Sequence, residues 1–306
     1  MLVPEKLRRG DTVVVIAPSS PVEDKDREYL EKSKEMLESV GLNVEFSKYC
    51  FSNTTGYGAT AKEKAFDINE SFANPKYKAV LCFKGGNNSN SVFDYLDFDL
   101  IAKNPKILCG FSDSTSLLNM ISEKAGMVTF SGPTFKSFSS WETDYAFNKF
   151  VKRLMEDDLS LLYDDEKAEV IMEGQAEGAL IGGNLYLTSK MITGKYKLNF
   201  DNKILFIEEL GFETDPETCS SNLYLMKQNG VFDKIKGIWV GNFEHEQNIA
   251  LEKILLDVLD GEYSFPIVKT NNFGHIDKKI TIPIGVSARI DTASDKKLEL
   301  LENCVR

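Results

Sequence analysis

The chain has few of the residues that many enzyme chemistries require. Only two of its 306 residues are histidines, and its five cysteines are scattered along the chain. An odd number of cysteines without a C-x-x-C pair indicates neither a disulfide framework nor a zinc site. The sequence also contains no G-x-G-x-x-G motif and no Walker-type phosphate loop. We therefore expect reduced thiols, no metal and no cofactor.

Excess basic charge and long apolar runs are missing as well. Lys and Arg total 36 against 47 Asp and Glu, which gives a formal net charge of −11. Such a charge repels nucleic acid and anionic membranes, so we expect neither as a partner. No segment approaches the roughly 18 continuous apolar residues of a membrane helix, and the N-terminus lacks the apolar core of a signal peptide. These absences predict a cytoplasmic protein.

The first half of the chain alternates strand-like and helix-like patterns. Apolar, largely β-branched runs at 12–17 (TVVVIA) and 78–83 (KAVLCF) are typical of strands covered on both faces. A third such run begins at Ile107, and each run is followed by a segment with helical spacing. Repeated strand-then-helix units predict an α/β fold with a doubly wound, mostly parallel sheet.

The second half predicts a further α/β domain. Strand patterns at 203–207 and 235–240 alternate with helical patterns at 217–228 and 249–259. An acidic, loop-like stretch separates the two halves. We expect an N-terminal domain at 1–157, a linker at 158–176 and a C-terminal domain at 177–306.

Ser112 stands where the strand pattern starting at Ile107 gives way to a helical pattern. It is predicted to be an N-cap residue, a nucleophile at the carboxyl end of a sheet, where ligands of parallel sheets bind, or both, since the two roles are compatible. The sequence GFSDS lacks the second glycine of the G-x-S-x-G nucleophile elbow. Gly85 and Gly86 end a neighbouring strand. They form an ordinary turn, or they contribute N–H groups that complete an oxyanion hole with the N–H of Asp113.

The histidines and a pair of strand-end glutamates are the candidates for proton transfer. His245 lies between glutamates in NFEHE, which is typical of a solvated loop, whereas His275 lies in a turn-like segment where structural and functional roles are both open. Glu208 and Glu209 end a strand, and successive strand residues point to opposite faces. At most one of them therefore faces a given site, where it would orient a histidine; the alternative is a solvated strand end.

Seven motifs in this order resemble the LD-carboxypeptidase family of serine peptidases, and within it the branch of the microcin C self-immunity peptidase. They are GGNNSNS (85–91), YLDFDLI (95–101), NPK followed by GFSD (104–113), SGP (131–133), EG followed by GGNL (177–185), ILFIEE (204–209) and FGH followed by PIGV (273–286). The resemblance spans nearly the whole chain.

The resemblance implies a catalytic triad of Ser112, Glu208 and His275. The nucleophile would come from the N-terminal domain and the acid and base from the C-terminal domain, with the active site between them. The resemblance also implies an oxyanion hole built from the N–H of Asp113 and a glycine N–H, with Gly86 preferred over Gly85.

By their location alone, three residues are further candidates for substrate binding: Asn87, Asn88 and Ser89. The family also suggests a homodimer.

Two substrate classes follow from the resemblance. The family's cytoplasmic members release a terminal D-amino acid from murein tetrapeptides, and the immunity branch cleaves aminoacyl-nucleotide conjugates. Immunity members carry a tryptophan, before the EG motif, that stacks on the adenine, whereas residues 170–175 contain none. The main prediction is therefore a serine carboxypeptidase acting on the L,D bond of murein tetrapeptides. An immunity-type amidase is the alternative.

A third interpretation is a non-catalytic nucleotide- or phosphate-binding module. Gly85, Gly86 and the N-terminus of the helix after Ser112 would then serve as anion sites. This interpretation leaves the histidine and glutamate motifs without a role.

Overall fold

The computed structural model describes residues 1–140, 143–156, 168–211, 215–243 and 249–306. The chain divides into two compact units. Unit 1 consists of Met1–Asp158, Thr281–Pro283 and Cys304–Arg306, and unit 2 consists of Leu159–Ile280 and Ile284–Asn303.

Unit 1 thus includes two pieces of the C-terminal region, which differs from the predicted division at 158–176. The final residue explains part of the difference, because the backbone of Arg306 bonds to Lys6 at 2.9 Å and to Pro4 at 3.0 Å.

Unit 1 contains a six-stranded sheet. Numbered along the chain, its strands are β1 (Thr12–Ile16), β2 (Asn43–Phe46), β3 (Tyr77–Cys82), β4 (Ile107–Gly110), β5 (Thr129–Ser131) and β11 (Ile282–Ile284). Their order is β11-β5-β4-β3-β1-β2, and β1 to β5 pair in parallel. The order 2-1-3-4-5 is a doubly wound arrangement, so the predicted fold class is confirmed.

The helices of unit 1 follow the strands. They are α1 (Arg27–Ser39), α2 (Ala61–Ala73), α3 (Phe98–Lys103), α4 (Ser114–Ala125), α5 (Ser137–Ser140) and α6 (Tyr145–Val151). A capping box begins α2: the Thr60 hydroxyl accepts the N–H of Glu63 at 3.3 Å, and the Glu63 carboxylate accepts the N–H of Thr60 at 2.7 Å. This start sets the position of Lys64 in the first turn.

Unit 2 contains a seven-stranded mixed sheet. Its strands are β6 (Glu169–Met172), β7 (Gln175–Asn184), β8 (Lys203–Glu208), β9 (Gly237–Val240), β10 (Ile267–Lys269), β12 (Ser287–Asp291) and β13 (Leu298–Leu300). The order is β13-β12-β7-β8-β9-β10-β6, with β7 to β10 parallel and the outer pairs antiparallel. Its helices are α7 (Leu185–Ser189), α8 (Pro216–Gln228) and α9 (Leu251–Leu259).

Part of the stretch predicted as a linker is therefore sheet. Strand β6 and the first residues of β7 fall within 158–176, and β6 pairs antiparallel with β10 at the sheet edge. Edge strands are commonly short and only half covered, so they lack a buried-strand pattern. Among the described residues, no helix is long and apolar enough to cross a membrane.

Candidate active site

Ser112 occupies a sharp turn between β4 and α4. Its φ angle is +60°, in the left-handed region that residues with a side chain rarely adopt. A strained serine between a strand and a helix is the geometry of a nucleophile elbow. The N-cap position of α4 is Asp113, one residue after Ser112, and the carbonyl of Ser112 accepts the N–H of Thr115 at 2.9 Å. The turn holds its serine at the end of the strand without the second glycine of the sequence motif.

Gly85 lies against the Ser112 side chain. A Cβ added to Gly85 would lie 3.0 Å from both Cβ and Oγ of Ser112 and 3.9 Å from the backbone nitrogen of Asp113. Gly86 has a φ of +140°, and a Cβ there would lie 2.0 Å from Oγ of Ser20. Unit 1 thus brings three predicted residues, Gly85, Ser112 and Asp113, into one place.

The Asp113 side chain ties two loops to the elbow. Its Oδ2 accepts hydrogen bonds from Oγ of Ser19 at 2.6 Å and from the N–H of Ser89 at 2.8 Å. The Ser89 hydroxyl donates to the carbonyl of Asp113 at 2.6 Å. Because Ser19 follows β1 and Ser89 follows β3, the residue after the nucleophile is fixed from both sides of the switch point. From the sequence, only the N–H of Asp113 is predicted to have a role.

Lys64 is a buried cation behind this network. Its Nζ donates to the carbonyl of Ser19 at 2.8 Å and to Oδ1 of Asn88 at 2.7 Å, and the side chain is only 3% exposed. Burial lowers the pKa of Lys64, and the negative charge of Asp113 opposes that shift. The ammonium group of Lys64 therefore connects the loop after β1 to the loop after β3.

The three residues predicted to bind substrate lie in different surroundings. Ser89 is fully buried on Asp113, and Asn88 accepts a hydrogen bond from Lys64 while adopting a φ of +69°. Asn87 is exposed. Both Asn88 and Ser89 have structural partners, and a substrate-binding role for any of the three stays a prediction.

Asp26 joins three loops at the same end of the sheet. Its carboxylate accepts hydrogen bonds from Lys84 at 2.6 Å, from Lys136 at 2.7 Å and from the N–H of Glu23 at 3.0 Å. Burial opposes ionisation of Asp26, but the two ammonium groups hold its pKa below the usual range. Because Lys84 directly precedes Gly85, this cluster anchors the glycine turn.

In unit 2, His275 and Glu208 form a hydrogen-bonded pair. Nδ1 of His275 lies 2.7 Å from Oε2 of Glu208, and the Glu208 side chain is 6% exposed. Burial opposes ionisation of Glu208, but His275 and Lys279 hold its pKa below the usual range. A carboxylate only accepts, so Nδ1 donates and the lone pair of the neutral ring lies on Nε2. This is the orientation that a general base requires.

Glu209 has its own set of hydrogen-bond donors. It accepts hydrogen bonds from Nδ2 of Asn184 at 2.7 Å and from the N–H groups of Leu210 and Tyr186, both at 2.9 Å. Burial and the neighbouring charge of Glu208 raise its pKa. Within the described residues, the contact with His275 is made by Glu208, and Glu209 holds the start of α7.

Aromatic packing holds the segment that carries His275. Phe273 packs edge-on against Trp239, with ring centroids 4.6 Å apart, and its carbonyl accepts the N–H of Asn242 at 2.9 Å. A Cβ on Gly241 would lie 2.5 Å from the Phe273 ring, so this position must be glycine. Trp239 is fully buried and belongs to the core.

The second histidine, His245, lies outside the described residues, so the prediction of a solvated loop there stays a prediction. Across the ranges that the structure describes, no group of three or more His, Cys, Asp or Glu side chains could hold a metal ion.

Four residues that support the site have no role predicted from the sequence: Ser19, Lys64, Asn184 and Lys279. Ser19 lies three residues after β1 and Asn184 ends β7, and these positions are a signal because ligand-facing residues follow the strands of parallel sheets. For Lys64 and Lys279 the sequence carries no such signal, since lysines in polar segments are usually solvated.

Two family models match the chain, one for each half. The LD-carboxypeptidase N-terminal domain matches residues 13–132, and the LD-carboxypeptidase C-terminal domain matches residues 177–290. The first range contains Ser112 and its oxyanion candidates, and the second contains Glu208 and His275.

Similar proteins cover almost the full length. A probable murein peptide carboxypeptidase from Bacillus subtilis is 32% identical over 95% of this chain and 92% of its own. The solved structure of a muramoyltetrapeptide carboxypeptidase from Oxalobacter formigenes has a TM-score of 0.78 at 25% identity, covering 94% of this chain and 97% of that one.

The microcin C7 self-immunity protein MccF, known from Escherichia coli, is similar as well. Its structure in complex with aspartyl sulfamoyl adenosine has a TM-score of 0.87 at 27% identity, with both chains fully covered. Because the two family models together cover most of the sequence and the relatives extend over nearly all of it, the chain belongs to the LD-carboxypeptidase family and is a serine-type hydrolase.

Proposed function

We propose that the protein is a serine carboxypeptidase that hydrolyses the L,D bond near the C-terminus of murein tetrapeptides. The observation that carries the proposal is the 2.7 Å bond between Nδ1 of His275 and the buried Glu208. It prepares the imidazole as a base, and the strained Ser112 is the matching nucleophile of the family. The murein-specific names of two relatives support the substrate class.

In the proposed mechanism, Nε2 of His275 takes the hydroxyl proton of Ser112, and Oγ attacks the scissile carbonyl. The imidazolium that forms is stabilised by Glu208. The developing oxyanion is received by the N–H groups of Asp113 and Gly86, at about 3 kcal/mol per donor. His275 then gives its proton to the leaving amine of the D-amino acid. A water molecule hydrolyses the acyl-enzyme, with His275 again as the base.

The direct test is the release of D-Ala from an L-Ala-γ-D-Glu-diaminopimelate-D-Ala tetrapeptide. The wild-type chain is expected to release D-Ala, and the Ser112→Ala variant is expected to lose at least about 1,000-fold in kcat while remaining folded. An all-L tetrapeptide of the same composition is the matched control for stereochemistry. Equal turnover by Ser112→Ala and wild type would overturn the proposal.

An immunity-type amidase is the second candidate, and the similarity to MccF favours it specifically. That relative has been solved with aspartyl sulfamoyl adenosine, an aminoacyl-nucleotide conjugate. Incubation of this chain with the same compound tests the alternative, because cleavage would produce free aspartate and sulfamoyl adenosine. Cleavage of the tetrapeptide without cleavage of the conjugate would remove it.

We further propose that the enzyme works in the cytoplasm as a homodimer. The family resemblance supports both properties, and recycled murein peptides are a substrate of that compartment. Light scattering coupled to size-exclusion chromatography at micromolar concentration tests the assembly: a mass near twice 34.4 kDa is expected, and a mass near 34.4 kDa would contradict it.

A further inference from the structure

Lys64 is a buried lysine whose ammonium group contacts the two loops that hold Asp113. It lies in the first turn of α2, is 3% exposed and directs its ammonium group to two loops rather than to solvent. Burying a lysine is costly unless its charge is compensated. The compensation comes from the Asp113 carboxylate, whose charge acts on Lys64 across Ser19.

The chain of contacts ends at the proposed oxyanion hole. Lys64 holds the carbonyl of Ser19, and the hydroxyl of Ser19 holds Oδ2 of Asp113. Lys64 also holds Asn88, which is adjacent to Ser89, and Ser89 bonds to the same Asp113 oxygen. The peptide N–H of Asp113 is therefore fixed by two routes that both begin at one ammonium group.

The positive charge of Lys64 affects the oxyanion hole in addition to the hydrogen bonds that fix the Asp113 N–H. An oxyanion forming at Ser112 would develop one residue away from the Asp113 carboxylate, which is buried and therefore poorly screened by water, and two like charges repel each other. A cation behind that carboxylate reduces the repulsion. Removal of Lys64 would therefore both loosen the donor and expose the oxyanion to an uncompensated negative charge.

We infer that Lys64 is a positioning residue for the reaction, acting through Ser19, Asn88 and Asp113 on the oxyanion hole. The inference rests on the proposed function of Ser112. It predicts that Lys64→Met lowers kcat by about 10- to 100-fold with little change in KM, because small displacements of preorganised donors have effects of this size.

Lys106 provides a matched control. It is also buried, at 9% exposure, and its Nζ donates to two backbone carbonyls, those of Ser71 and Asn74, at the opposite end of α2. Lys106→Met removes the same charge and the same kind of bonds, but none of its hydrogen bonds leads to Asp113. Both variants are expected to lower the melting temperature, and only Lys64→Met is expected to lower kcat.

A second variant keeps the test informative if Lys64→Met fails to fold. Ser19→Ala deletes the hydroxyl bonded to Asp113 while keeping the carbonyl that Lys64 holds. It is expected to lower kcat by about tenfold, and combined with Lys64→Met it should add less than its separate effect, since both act on one path.

The measurements are kcat and KM on the tetrapeptide, the rate of inactivation by a fluorophosphonate, and the melting temperature. The inference is supported if Lys64→Met and Ser19→Ala slow turnover and inactivation while Lys106→Met slows neither. Equal losses in Lys64→Met and Lys106→Met, or wild-type rates in Lys64→Met and Ser19→Ala, would overturn it. An active Ser112→Ala variant would instead show that the proposed function itself has failed.

Discussion

Nδ1 of His275 and Oε2 of Glu208 lie 2.7 Å apart, although 67 positions separate the two residues in the chain. Strand β8 ends with the carboxylate, and the aromatic packing of Phe273 holds the segment that carries the imidazole. The adjacent Glu209 makes no part of this pair and bonds to Asn184 instead. Two neighbouring acids at one strand end therefore have separate roles.

Glu208→Gln should separate these roles from each other. The carboxamide presents its N–H₂ or a neutral oxygen to Nδ1 and no longer stabilises the imidazolium, so kcat should fall by at least about 100-fold. The melting temperature should change little. Steady-state hydrolysis of the tetrapeptide and a thermal melt are the measurements.

Glu209→Gln is the matched control for that variant. A glutamine cannot accept all the bonds that Glu209 receives from Asn184, Tyr186 and Leu210, so the free energy of unfolding should fall by about 1–3 kcal/mol. The kcat of the folded protein should stay within about threefold of wild type. The reverse pattern in the two variants would contradict the assignment of Glu208.

Gly85→Ala tests the contact between the glycine turn and the nucleophile. The new Cβ would lie 3.0 Å from Oγ of Ser112, so the serine must move by a few tenths of an ångström. We expect kcat to fall by about tenfold. In the control Gly126→Ala, where nothing lies within 4 Å of the added Cβ at the end of α4, stability should fall and kcat should not. Unchanged turnover in Gly85→Ala would contradict the prediction, because it would show that Ser112 can move away from the new methyl group without losing activity.

Ser112→Gly should relieve the strain at the elbow. The left-handed φ of +60° costs a residue with a Cβ roughly 1–2 kcal/mol and costs glycine almost nothing. Compared with Ser112→Ala, which also lacks the hydroxyl, the glycine variant should be more stable by about 1 kcal/mol. Urea denaturation of the two inactive variants measures this difference. A glycine variant less stable than the alanine variant would speak against a strained elbow.

Asp26 should make stability depend on pH in the acidic range. Its pKa is held below the usual value of about 3.9, so its contribution is present above that pH and is lost as the pH falls through the lower, folded-state pKa. At pH 7, Asp26→Asn should lower the free energy of unfolding by about 2 kcal/mol, since its lysine partners are partly exposed.

The difference between wild type and Asp26→Asn should shrink as the pH falls below about 4. Urea denaturation at pH 7 and pH 3 measures it. A difference that stays constant across this range would mean that the ionised carboxylate is not what joins the three loops.

Much of unit 1 could be predicted because its strands are buried on both faces. Val13, Val14 and Val15 are fully buried, and their β-branched run is visible without a structure. The order of the parallel strands then brings the ends of β3 and β4 together, which places Gly85 beside Ser112. Edge strand β6 carries no such signal, because it has only four residues and none of them is fully buried.

The hydrogen bonds that support the site could not be predicted, because they join residues that are distant in sequence. Ser19 and Asp113 are 94 positions apart, and Lys64 and Ser19 are 45 apart. Serine after a strand and lysine in a helix are common in surface segments, so neither residue type indicates burial. The left-handed turn at Ser112 could not be predicted either. A left-handed residue is usually glycine, and position 112 is a serine.

Activation of the Ser112 nucleophile by His275 is the claim on which the proposed mechanism depends. The most direct measurement is the rate of fluorophosphonate labelling, with the modified residue identified by peptide mapping in wild type and in a folded His275→Ala variant. We predict one adduct, on Ser112, that forms at least about 100-fold more slowly without the imidazole. An adduct on another residue, or labelling of His275→Ala at the wild-type rate, would contradict the claim.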